Sequence, residues 1–134
     1  MKKIFSVVAV AALILGIGSC SKDAGNLPHI AFITGSSYTA TDITTDTSHV
    51  LKIGITASKA EDKDVLKTFD ISRSYDGATA VSIQNASLSV SQGDNYTADI
   101  NFSTRKVTGT EKYLFTVVNR DGLKNTISIT ITVH

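Results

Sequence analysis

Thr126-Ile127-Ser128-Ile129-Thr130-Ile131-Thr132-Val133 brings this chain to within one residue of its end. Apolar side chains recur at every second position, with Thr and Ser between them. A period of two places Ile127, Ile129, Ile131 and Val133 on one face of an extended strand and the hydroxyl residues on the other. That is the signature of a half-buried strand, and the segments before it follow the same rule. Asn119-Arg120-Asp121-Gly122 supplies a hairpin turn, with Gly122 suited to the positive φ such turns need. Lys112 to Val118 is apolar on both phases, Tyr113, Phe115 and Val117 against Leu114 and Val118. A strand apolar on both faces is expected at the centre of a sheet.

Further upstream, Tyr96, Ala98, Ile100 and Phe102 alternate with Thr97, Asp99, Asn101 and Ser103, after the turn Gln92-Gly93-Asp94-Asn95. Arg105 to Glu111 reads as a polar loop. Val81 and Ile83, then Leu88 and Val90, are spaced as one bent strand or two short edge strands around Asn85. Phe69 and Ile71 mark a strand closed by the turn Tyr75-Asp76-Gly77. Leu51, Ile53, Ile55 and Ala57 face one way in another, followed by the charged turn Lys59 to Asp64. Ser36 to Ser48 reads as a long connection with room for a short edge strand, and Ile30 and Phe32 lie in the first strand. No segment after Pro28 offers a helical apolar stripe. Seven to eight short strands over residues 29–134 predict an all-β, antiparallel β-sandwich.

The N-terminus is of another kind. Lys2 and Lys3 precede an apolar run from Ile4 to Ile17. That run is shorter than the ~20 residues a membrane-spanning helix needs, and it fits the apolar region of a secretory signal. Cys20, the sole cysteine, follows the small residues Gly18 and Ser19. With residues 1–19 removed, eleven basic residues face twelve acidic ones, a balance that gives no reason to expect nucleic acid as a partner. No cysteine pair is present for a disulfide, so the domain must be held by its core alone. Residues 20–28, polar and carrying the only proline, read as a flexible tether.

Ile17-Gly18-Ser19-Cys20 resembles the lipobox of bacterial lipoproteins. The resemblance implies cleavage before Cys20, lipidation of its thiol, and attachment to a membrane; two or three acyl chains would make that attachment stable. The stretch Gly109 to Val133, with Glu111 to Val117 and Arg120-Asp121-Gly122, resembles the last two strands of bacterial Ig-like domains. Tyr113 is similar to the tyrosine that precedes the core residues of the penultimate strand there. The Asp-x-Gly-x-Tyr spacing is absent, since Gly109 lies four residues before Tyr113, and the lack of tryptophan and of a cysteine pair excludes an antibody-type domain. Taken whole, the lipobox, Ser21-Lys22-Asp23 and one Ig-like domain resemble a Bacteroides-type surface lipoprotein. This implies export, a lipid anchor in the outer membrane, and display at the cell surface.

Candidate chemistry is sparse. His29, His49 and His134 share no implied face, and no G-x-S-x-G elbow appears, so the expectation is that the chain is not an enzyme. Glu61, Asp62 and Asp64 cluster in one turn but lack the spacing of a calcium loop, and Lys63 sits among them; no metal or cofactor is expected. If seven strands alternate up and down, the tether enters beside loops 59–66, 91–95 and 119–125. Loops 35–49, 74–79 and 103–111 then lie at the opposite end and carry Tyr38, Tyr75, Asp76, Arg105 and Lys106. With two strands in the middle, the later loops exchange ends. Tyr38 and Tyr75 are placed in loops, where a pair of rings can stack on sugars. The expected function is a non-enzymatic, lipid-anchored binding or assembly module of the envelope, its partner a protein or glycan. A glycan-binding accessory of a polysaccharide-uptake system, or a structural spacer, is the alternative.

Overall fold

The computed structural model describes residues 25–134. The signal, the lipobox and Cys20 lie outside the described residues. Within those residues eight strands follow one another: β1 His29–Ile33, β2 Ile43–Thr45, β3 Val50–Ser58, β4 Leu66–Tyr75, β5 Val81–Ser87, β6 Asn95–Ser103, β7 Gly109–Asn119 and β8 Lys124–Val133. They form a three-stranded sheet, β1-β3-β6, and a five-stranded sheet, β2-β8-β7-β4-β5. Every pairing is antiparallel except β2 with β8. The chain leaves one sheet after β1 and joins the other at β2, splitting its first strand between the layers. With β3 and β6 on one side and β4, β7 and β8 on the other, this is an Ig-like sandwich.

Alternation explains the packing directly. Leu51, Ile53, Ile55 and Ala57 of β3 face Phe69 and Ile71 of β4, Tyr113, Phe115 and Val117 of β7, and Ile129, Ile131 and Val133 of β8, all of them buried. Each valine, leucine, isoleucine and phenylalanine among them contributes about 1.5–3 kcal/mol when fully buried. Phe115 is the centre of an aromatic cluster, with Phe32, Phe69 and Phe102 at 5.8, 6.5 and 6.4 Å between ring centroids. β7 is central, as its two-sided apolar pattern predicts, paired with β4 on one edge and β8 on the other.

The ambiguous middle is one strand, β5, followed by a 3-10 turn at Val90–Gln92. A second strand does not form because the Gln92 side chain accepts a hydrogen bond from the Ser89 backbone N–H (2.9 Å), curling the chain back. Leu88 packs onto the core and Val90 is left fully exposed. Seven long strands therefore alternate in direction. One end of the sandwich holds the start of β1 with loops 59–65, 88–94 and 120–123; the other holds 46–49, 76–80, 104–108 and the end of β8. The first is called proximal and the second distal.

The last part of the expected tether is docked. Pro28 is buried, and its carbonyl accepts a hydrogen bond from Asn125 Nδ2 (3.0 Å). Asn26 Nδ2 donates to Glu61 Oε1 (2.8 Å). Residues 26 and 28 of the expected tether thus each hold a contact with the domain.

Candidate functional site

At the distal end the β4–β5 turn meets the β6–β7 loop. Asp76 (φ +49) and Gly77 (φ +77) turn the chain in the left-handed region, and Ala78 N–H closes the turn on Tyr75 O (2.9 Å), an Asp-Gly pair of the kind such turns favour. This holds the Asp76 carboxylate against the neighbouring loop, where Oδ1 accepts from Arg105 Nη2 (2.6 Å) and from Thr110 N–H (2.8 Å). These two donors, the guanidinium first, hold the Asp76 carboxyl below the usual carboxylate range, and the hydrogen bond to Asp76 in turn raises Arg105. Gly109 makes the approach possible: with φ +139, it leaves open a place where a Cβ would collide with both the Arg105 guanidinium and the Asp76 carboxylate.

Arg105 reaches inward as well. Its guanidinium lies 4.6 Å from the Tyr75 ring centroid, and Arg73 lies 4.5 Å from the same ring. Beneath them Glu111 is fully buried. Its Oε1 accepts the Arg105 backbone N–H (2.7 Å) and lies 3.7 Å from Arg105 Nε, while Oε2 accepts the Tyr113 hydroxyl (2.8 Å). Burial, and then this hydrogen bond to a carboxylate, push the Tyr113 phenol far up. Tyr113 thus reaches back toward the preceding loop through a carboxylate, where the tyrosine corner of related sandwiches uses backbone alone. Thr104 ties in the β2–β3 loop, accepting from His49 N–H (2.8 Å) and donating to Asp46 O (2.9 Å).

The structure therefore brings Tyr75, Asp76 and Arg105 together, with exposed Lys106 next along the loop. It does not bring Tyr38 to them, which corrects the expected stacking pair. Tyr38 lies on the outer face of the three-stranded sheet, because the chain after β1 bulges outward and returns to the side of β3, with Thr39 N–H bonded to Lys52 O (2.7 Å). Its ring is seated on Gly54, where a Cβ would come within 2.7 Å of it. Lys52 Nζ stands 4.6 Å over that ring and 2.9 Å from Asp99, which also accepts the Tyr38 hydroxyl (3.0 Å).

The acidic turn is committed to structure. Buried Asp64 bonds Val65 N–H (2.8 Å) and the Asn119 amide, whose Oδ1 caps Asp121 and Leu123 N–H across the β7–β8 turn. Among the described residues no group of three or more His, Cys, Asp or Glu is placed to hold a metal ion. Glu111 and Arg73 were not singled out by sequence, although a signal existed. Both fall on the inward phase of their strands, in register with Tyr75 and Tyr113 respectively.

No family model matches this chain, and no curated protein does. Solved structures do. The superoxide reductase (neelaredoxin) from Ignicoccus hospitalis aligns at 8% identity and TM-score 0.51, over 81% of each chain. A variant of that reductase aligns at 9% and 0.54, over 87% of this chain and 86% of that one. The sporulation control protein Spo0M from Bacillus subtilis aligns at 10% and 0.51, over 81% of this chain and half of the other. At such identity the likeness is one of fold. It nevertheless corrects the expectation that the chain is not an enzyme, since the similar fold serves superoxide reductases. Chemistry resides in side chains grafted on a fold, so an all-β sandwich is no ground for excluding catalysis.

Proposed function

We propose that this chain is an exported binding or assembly module of the bacterial envelope, of Bacteroides type, anchored by lipid on Cys20 and displayed at the cell surface from the outer membrane. One observation supports it above the rest. The chain enters the sandwich at the proximal end, whereas the Tyr75–Asp76–Arg105 cluster, braced by Glu111, closes the distal end. An anchor on Cys20 would then turn that cluster away from the membrane, toward a partner.

A protein partner suits this surface better than a sugar. Stacking on sugars needs open ring faces, and both candidate tyrosines already carry cations, Lys52 over Tyr38 and two arginines against Tyr75. Replacing Cys20→Ser tests the anchor: the wild-type chain should stay with membranes through detergent-free washing and the variant should be released. Retention of the variant would refute attachment at Cys20.

A further inference from the structure

The two layers of the sandwich are unequal. Tyr96 of β6 packs on Phe69 of β4 (5.1 Å) and Phe102 of β6 on Tyr113 of β7 (4.3 Å), so the free edge of the three-stranded sheet runs from above β4 at the proximal end to above β7 at the distal end. The five-stranded sheet continues to β5, which has no strand above it among the described residues. Six of its seven residues are exposed, including Val81 (59%) and Ile83 (38%). The same step leaves the inward residues of β6 only half-buried, whereas those of β3 are buried. One strand position is empty beside β6, over β4 and β5, and it is closed at the proximal end where Leu88 packs on the core beside Tyr96.

Its two rims differ. β5 carries an extra residue, Ile83, where its register with β4 shifts, and such bulges blunt an edge. β6 runs in unbroken register with β3 over nine pairs, has no proline, and bears one charge, Asp99, already paired with Lys52. It is an unguarded edge of the kind that accepts an added strand. A second copy cannot be that strand. Antiparallel pairing of β6 with its own copy, about a two-fold axis normal to the sheet, would drive the copy's β4 into the space held by β5. Only a strand with no second layer beneath it fits.

We infer that the β6 edge and the overhanging face of β5 accept a single extended segment of another polypeptide, adding as a fourth strand of the β1-β3-β6 sheet. Its inward positions face Val81, Gln84 and Ala86, and are apolar over the first and last of these. Antiparallel to β6, as every pair in that sheet is, its N-terminal end lies at the distal mouth. There Arg73, in register with Val81 and Tyr113 on the inner face, offers a guanidinium, so the segment carries an acidic residue at that end. This deepens the proposed binding role and rests on it only for the existence of a polypeptide partner.

The test uses the Cys20→Ser chain and a capped nine-residue peptide with glutamate first, valine at the later odd positions, and threonine and lysine between. Saturable binding that slows amide exchange along β6, weakened tenfold or more when glutamate is replaced by lysine or by Val81→Asp in the chain, supports the groove. Equal binding of a shuffled peptide, unchanged β6 exchange at saturation, or a chain that dimerises through β6 overturns it. No membrane enters this measurement, so its failure removes the groove and leaves the anchor to the fractionation of Cys20→Ser.

Discussion

Glu111 is the residue on which the distal end turns, a carboxylate with no exposed surface that satisfies donors from two elements at once. Glu111→Ala leaves the Tyr113 hydroxyl and the Arg105 N–H without that acceptor, and each buried group so orphaned costs about 1–3 kcal/mol. Glu111→Gln keeps one acceptor oxygen, so urea unfolding should rank wild type above Gln and Gln above Ala. Asp76 and Asp99 have folded pKa values below their ordinary one, through hydrogen bonds first from Arg105 and Lys52 respectively. A depressed carboxylate stabilises the fold above its unfolded pKa and loses that effect as pH falls through the folded value. Ring resonances of Tyr75 and Tyr38 should therefore hold steady from neutrality down to about pH 5 and move only in stronger acid. In alkali, Tyr113→Phe should remove the last step of phenolate absorbance, since burial holds that phenol up.

Among the elements, β3 depends on a glycine at an unexpected place. Gly54→Ala would set a methyl group 2.7 Å from the Tyr38 ring and 2.9 Å from Ile33 Cβ. Overpacking of this kind costs about 1–3 kcal/mol, and the Tyr38 ring should lose its contact with Lys52, visible as a change in ring shifts. The position of Tyr38 was not legible in the sequence, because a strand that changes sheets leaves no periodic mark. β8, β7, β6 and β3 were legible for the opposite reason: each has one face on the core, and burial imposes the period of two. The run from Val81 to Val90 is ambiguous in the sequence because β5 is exposed on nearly every residue, so no core enforces a phase there. Asp76 and Arg105 were placed at one end by counting strands, but their contact depends on Gly109, whose role only the geometry reveals.

For the molecule as a whole, one aromatic cluster joins the layers. Phe115→Ala should cost about 3–5 kcal/mol, the usual range for a buried phenylalanine, and should lower the melting temperature without altering the β-sheet signal below it. If the mature chain is held at one pole and engaged at the other, the sandwich becomes a mechanical link. A pull applied to Pro28 runs along the axis of β1, whose five residues pair with Ile55, Gly54 and their neighbours in β3 from His29–Ser58 to Ile33–Gly54. Such a load shears the whole β1–β3 ladder at once, so its bonds cannot open singly from one end. In single-molecule stretching from residue 28 against a distal handle, the domain should yield in one high-force event, with no early low-force peeling of β1.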